Sequence, residues 1–215
     1  MNINVLIADD HAIVRDGLRY LLEAQGDIKV VGEAATGREA LKKVDELKPD
    51  IVIMDIVMAE LNGIEATEQI CKYHPHTRVI MLSMRSSTEP ILRSLKAGAS
   101  GYLLKEAAGR ELVNAIYAVH EGKRYLSSKV SDQMVGAYLN WEEGLTDPLS
   151  TLSQREREVL QLVAEGKTSA EIADMLFLSI KTVKTYRSRL MAKLGIKDIP
   201  SLIKFAIQHG ITSIE

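Results

Sequence analysis

Five short, almost continuously hydrophobic runs punctuate the first 122 residues, at 3–8, 29–34, 51–54, 78–83 and 101–104. None alternates polar and apolar positions as a half-exposed strand would, so each reads as a strand buried on both faces. The intervening stretches, 12–24, 37–47, 64–73, 89–97 and 110–120, place apolar residues at helical spacing. A five-fold strand–helix alternation predicts an α/β, doubly wound, five-stranded parallel sheet of the flavodoxin-like kind. The pattern then changes. Residues 129–139 have a helical tendency, 140–151 carry Gly144, Asp147 and Pro148 and read as a linker, and from Ser153 the spacing is purely helical.

That last part has its own punctuation. Ser153 with Glu156, and Thr168 with Glu171, have the spacing of capping boxes that start two helices, the second ending near Leu176. Ser179 can cap a third helix reaching about Leu194, and Pro200 suits the first turn of a fourth. Short helices joined by a three-residue turn predict a second, all-α domain, a helix-turn-helix or another small helical bundle of the same pattern. The domain organisation expected is therefore 1–122, a linker with a helix at 123–150, and 151–215.

Composition supports ordinary globular domains: 46% of residues are hydrophobic, with 5 Pro and 14 Gly. The first apolar run is broken by Asp9 and Asp10 and nothing later reaches membrane-spanning length, so a cytoplasmic protein without a membrane partner is expected. Cys71 is the only cysteine, which excludes an intrachain disulfide and a Cys-based zinc site. Charge is uneven. Residues 1–150 hold 17 Lys and Arg against 22 Asp and Glu, whereas 151–215 hold 10 against 7. Within 177–205, Lys181, Lys184, Arg187, Arg189, Lys193, Lys197 and Lys204 face only Asp198, which fits either a solvated face or a polyanionic partner for that segment.

In a parallel sheet of order 2-1-3-4-5, the ligand crevice opens at the carboxyl ends of strands one and three. Asp9 and Asp10 follow the first strand, Asp55 the third, Ser83 ends the fourth and Lys105 follows the fifth. Each alone has a bland explanation: Asp10 a helix cap, Asp55 a strand end, Lys105 a surface lysine. Jointly they gather three carboxylates, a hydroxyl and an ammonium. Crowded carboxylates repel unless a cation intervenes, and magnesium suits an oxygen-rich site that also takes phosphate oxygens. Asp55 is then a candidate nucleophile toward phosphorus, with Lys105 holding one phosphoryl oxygen and Ser83 donating to another.

The Asp9-Asp10 pair, Asp55 within Ile-Val-Ile-Met-Asp-Ile-Val-Met, Gly63, Ser83 and Gly-Tyr-Leu-Leu-Lys ending at Lys105 resemble the receiver domain of bacterial two-component response regulators, over residues 3–120. The resemblance implies phosphotransfer from a sensor histidine kinase to Asp55. It also implies Mg2+ held by Asp10, Asp55 and the Val57 backbone carbonyl with Asp9 nearby, and a switch in which Ser83 moves toward the phosphoryl group and Tyr102 follows inward. Two departures stand out: Met58-Ala59 where Met-Pro is usual, which removes a fixed backbone angle after Asp55, and Lys105-Glu106 where Lys-Pro is common. Val57 and Arg85 fall where the lifetime of the phosphoryl group is tuned.

On a helical wheel with Val183 inward, Leu190 and Leu194 share its face and Tyr186 lies beside it. Lys181, Thr185, Ser188 and Ala192 fall opposite, flanked by Lys184 and Arg189. Small and hydrogen-bonding residues there let a backbone approach a groove, and basic margins reach phosphates or guanine edges. Leu-Ser-Gln-Arg-Glu-Arg-Glu-Val-Leu from 152, Glu-Ile-Ala from 171, Leu178-Ser179, Thr-Val-Lys from 182 and Lys-Leu-Gly from 193 resemble the LuxR-type helix-turn-helix, and the whole chain resembles the NarL/FixJ class. By that resemblance residues 169–176 form the scaffold helix and 180–193 the recognition helix. Lys184, Thr185 and Ser188 then read bases, and Lys181, Arg189 and Lys193 add to the DNA surface. Ser169-Ala170 replaces a frequent Asn-Lys and Tyr186 a frequent His, which puts some phosphate contacts in doubt. Double-stranded promoter DNA, a homodimer on phosphorylation and RNA polymerase are the partners implied. Leu202, Ile203 and Ala206 in the fourth helix offer either a dimer face or closure of a small core.

Two other functions fit less well. A magnesium-dependent phosphatase with an aspartyl nucleophile usually has a second acid two residues on, where this chain has Val57. A ligand-sensing regulator needs an apolar cavity, which a compact domain of that size with an acidic crevice does not suggest. His74-Pro75-His76 reads as a helix-to-strand loop, and Met54, Met58, Met81 and Met84 as core filling.

Overall fold

A computed structural model describes residues 2–139 and 148–212. Two compact units divide the chain, Met1–Trp141 and Glu142–Glu215. The linker expected at 140–151 falls, up to residue 147, outside the described residues. Among the described residues no helix is long and apolar enough to cross a membrane.

The first unit is a parallel sheet wound by helices: β1 Ile3–Ala8, α1 Ala12–Glu23, β2 Ile28–Ala34, α2 Gly37–Leu47, β3 Ile51–Asp55, α3 Gly63–Tyr73, β4 Arg78–Ser83, α4 Thr88–Lys96, β5 Gly101–Leu104 and α5 Ala108–His120. Successive strand residues enter opposite cores. Leu6, Val52, Met54, Val79, Met81 and Tyr102 pack with α2, α3 and α4, while Val5, Ile7, Ile51, Ile53, Ile80, Leu82 and Leu103 pack with α1 and α5. Continuous apolar runs are thus required, because neither face meets water.

The sheet departs from expectation at one edge. It has six strands in the order β2-β1-β3-β4-β5-β6, the sixth being β6, Tyr125–Leu126, parallel to β5 with Leu126 opposite Tyr102. Two residues carry no periodicity, so this strand was not legible in sequence. Beyond it, α6, Ser128–Leu139, buries Val130 in the core that holds Tyr102. Ser127 N–H donates to the Tyr102 carbonyl at 3.0 Å, which ties the start of α6 to the middle of β5.

The second unit holds α7 Gln154–Ala164, α8 Ser169–Leu176, α9 Ile180–Leu194 and α10 Ile199–Gln208. Both expected capping boxes form, and Ser179 caps α9 by accepting from Thr182 N–H. Phe177 closes α8 in the left-handed region at φ 55°, and Gly195 closes α9 likewise at φ 66°. Leu160, Leu176, Val183, Leu190, Leu202 and Ala206 share one core. Leu202 and Ala206 are fully buried there, so these two α10 residues close the core. Met84 also departs from expectation: Met54, Met58 and Met81 are buried, but Met84 is 78% exposed, since it lies past the end of β4.

Candidate functional site

The parallel register sets the ends of four strands side by side: Ala8 pairs with Met54, Asp55 with Leu82, and Ser83 with Leu104. Asp9 and Lys105 each follow a strand by one residue, so chain direction alone carries them to the same edge. Lys105 Nζ lies 2.7 Å from Asp9 Oδ2 and 2.8 Å from Asp55 Oδ2, bridging two buried carboxylates. The Ile56 N–H donates to Asp55 Oδ1 at 2.7 Å. Asp9 Oδ1 accepts from His11 N–H at 3.0 Å, and the Asp9 carbonyl accepts from Arg15 at 2.7 Å. Asp10 stays exposed, with His11 Nδ1 2.6 Å from its Oδ1.

The loop after Asp55 folds back tightly. A Cβ on Gly63 would sit 1.8 Å from the Asp55 carbonyl oxygen, so only glycine allows α3 to start there. Gly63 N–H donates to the Ile56 carbonyl, and Asn62 Oδ1 caps α3 by accepting from Ile64 and Glu65. With Ala at position 59, the backbone is held by hydrogen bonds, including Leu61 N–H to the Ala59 carbonyl, instead of by a proline ring.

Burial pushes Asp55 up to about 6, and the Asp9 carboxylate adds to it; Lys105 and the Ile56 N–H pull the other way. Lys105 is also buried enough to lose some of its proton affinity, but the two carboxylates outweigh this and hold it above its ordinary value. One ammonium cannot balance three carboxylates. Asp9, Asp10, His11 and Asp55 present ligand atoms within 4.8 Å of one another. Such an acidic, oxygen-rich cluster is compatible with a hard divalent cation. His11 was not singled out from sequence, although it adjoins the acidic pair; Asp9 and Asp10 alone drew attention.

Beside the cluster, Ser83 Oγ accepts from Arg85 N–H at 3.0 Å, and Tyr102 Oη donates to the Arg85 carbonyl at 2.7 Å. Tyr102 is fully buried, and that burial pushes its phenol up to about 12. One short loop therefore connects the end of β4 with the middle of β5.

On α9, Lys181, Lys184, Thr185, Ser188 and Arg189 are all exposed, and together with Ile180 they line a shallow depression. Among the described residues no ion pair engages Lys181, Lys184 or Arg189. Lys193 differs: its ammonium lies 2.6 Å from Glu156 Oε2 and 3.1 Å from the Thr151 carbonyl, linking α9 to the start of α7. Glu156 in turn accepts from the Ser153 N–H and hydroxyl. Burial alone would raise Glu156, but Lys193 and Ser153 outweigh it and hold the carboxyl below its ordinary value.

Comparison with known proteins agrees with both halves. Residues 5–117 match the response regulator receiver domain, and residues 150–206 match the bacterial regulatory proteins of the luxR family. The oxygen regulatory protein NreC of Staphylococcus aureus is 39% identical over 212 residues, 96% of this chain and 98% of that one. RcsB of Salmonella enterica serovar Typhimurium, solved bound to promoter rprA in the presence of the phosphomimetic BeF3-, is 31% identical with a TM-score of 0.64, covering 95% of this chain and 98% of that one. A structure of two RcsB dimers bound to two parallel DNAs has a TM-score of 0.60 at the same identity and coverage. The chain belongs to the two-component response regulators that join a receiver to a LuxR-type DNA-binding domain, transcription regulators and not enzymes.

Proposed function

We propose that Asp55 is the phosphoacceptor through which a sensor histidine kinase controls this regulator. The observation that carries the proposal is Lys105, whose ammonium touches both Asp9 and Asp55. A carboxylate oxygen of Asp55 attacks the phosphorus of a phosphohistidine, and the P–N bond breaks with its electron pair leaving on the imidazole. With its pKa near 6, Asp55 is mainly ionised at neutral pH and ready to attack. Lys105 is placed to shift from the Asp55 carboxylate to a phosphoryl oxygen. Mg2+ is the cation proposed for Asp9, Asp10, Asp55 and the Val57 carbonyl; when bound it supplies charge neutralisation on the phosphoryl oxygens.

Ser83 and Tyr102 are proposed as the readout, because the Arg85 backbone already links them. Rearrangement at Ser83 would reach β5, and from there β6 and α6 through Tyr102 and Ser127. In this scheme residues 1–122 are the receiver, 123–150 a linker that begins as an added edge of its sheet, and 151–215 the output domain. Lys181, Lys184, Thr185, Ser188 and Arg189 are proposed to contact double-stranded promoter DNA, with Lys193 contributing the one ammonium proton left over from Glu156 and Thr151. The promoter-bound and dimeric structures of the RcsB relative support DNA and a homodimer as partners here. RNA polymerase and a cytoplasmic setting complete the proposal.

The test is phosphoryl incorporation from a radiolabelled small phosphodonor with Mg2+. Wild type is expected to label and Asp55→Asn to show none; undiminished labelling of the variant would overturn the assignment of Asp55.

A further inference from the structure

Ile180 is the first residue of α9, directly after the Ser179 cap, and it is 47% exposed. The other bulky aliphatic side chains of the helix turn inward: Val183 and Leu190 are fully buried, and Met191 and Leu194 pack against the core. Ile180 does not join them. It stands four residues before Lys184 and eight before Ser188, so the three follow one line along the helix surface. The depression it lines is otherwise walled by Lys181, Lys184, Thr185, Ser188 and Arg189, which makes Ile180 its one apolar wall. Its neighbours at the cap make no demand on it, since Ser179 Oγ is engaged with the Thr182 N–H at 3.1 Å and its hydroxyl at 2.8 Å.

An aliphatic side chain in that place has a definite counterpart. The N-terminal residues of a helix-turn-helix reading helix meet base edges in the major groove. Three of the four bases show only hydrogen-bonding groups and C–H edges there, whereas thymine adds a C5 methyl that an apolar side chain detects. We propose that Ile180 is a specificity-determining residue that selects thymine by its methyl group, next to the bases read by Lys184 and Thr185. This rests on α9 being the helix that enters the major groove.

Deoxyuridine isolates the methyl, because it pairs as thymine does and lacks only that group. Full-length protein, treated with beryllofluoride and Mg2+, is used to select duplexes from a random library, and each thymine of a selected duplex is then replaced in turn by deoxyuridine. At one thymine per half-site, wild type is expected to lose about four-fold in affinity, the effect of one methyl-sized apolar group leaving a contact. Ile180→Ala should bind the thymine and deoxyuridine duplexes equally at that position, and Ile180→Val should keep part of the discrimination. A deoxyuridine penalty of the same size in Ile180→Ala and wild type at every position overturns the proposal, as does a wild type indifferent to every replacement. Lys184→Ala separates the two levels. If it weakens binding to the selected duplex while Ile180→Ala leaves the methyl penalty intact, only the role of Ile180 falls. If neither variant differs from wild type, the assignment of α9 as the reading helix falls with it.

Discussion

The two halves of this regulator treat charge in opposite ways. In the receiver, Asp9 and Asp55 are buried at strand ends and share one ammonium, so the electrostatic interactions are short and poorly screened. On α9, Lys181, Lys184 and Arg189 are exposed, and among the described residues no acid pairs with them. A buried cluster has shifted proton affinities and specific chemistry. A solvated cationic face keeps its charges open to solvent, where they can displace counterions from a polyanion. The difference teaches that the first site is set by desolvation and the second by accessibility, and each can be tested where it would fail.

The largest effect is expected in the receiver. Asp55 is raised from 3.8 to about 6, so the folded state holds its proton more tightly than the unfolded chain. The resulting penalty is absent below the unfolded value, grows as pH rises, and is complete above about 6. The shift corresponds to about 3 kcal/mol at most. Without divalent metal, Asp55→Asn should therefore stabilise the receiver against urea at pH 7.5 by a large part of this amount, with little gain at pH 3.5. Added Mg2+ should stabilise wild type more than the variant. A gain independent of pH would show that Asp55 is not strained by burial.

A smaller effect is expected on α9. Lys184→Ala should weaken binding to a selected duplex by about 1–3 kcal/mol and binding to random duplex by less. An equal loss on both, measured by titration across salt concentrations, would move Lys184 from base reader to phosphate contact.

The smallest concerns Lys193, the basic residue that breaks the contrast by behaving like the receiver's lysine. Glu156→Gln keeps the capping geometry, since Gln serves as well at that position, and removes only the charge facing Lys193. Lys193 is partly exposed, so the cost is expected near 1 kcal/mol. Because Glu156 is held below its ordinary value, the wild-type advantage is present at neutral pH and lost as pH falls through the acid range. Thermal melts of the two proteins at pH 7 and pH 3 measure it; an unchanged difference would assign the effect to packing instead.

Much of this was legible in the chain. The apolar runs identified five strands because a strand covered on both faces admits few polar residues, and the five acid, hydroxyl and amine positions followed from where those runs stop. The caps at Ser153, Thr168 and Ser179 were legible because a side chain three residues from its partner acts locally. β6 was not, for two residues have no period. Nor was the pairing of Lys193 with Glu156, which lies 37 residues away on another helix. Met84 was misplaced because apolar character says what a residue prefers and not which way the chain turns it once the strand has ended at Ser83.

Sequence by itself determined the two-part plan, the parallel sheet, the acidic strand ends and the outward stripe of α9, all consequences of periodicity and local capping. Tertiary structure alone decided that one lysine would span Asp9 and Asp55, that Ser83 and Tyr102 would meet at Arg85, and that Lys193 would serve the fold as well as its surface. Those depend on side chains distant in sequence arriving at one place, and a one-dimensional pattern specifies which face a residue takes without specifying the partner it finds there.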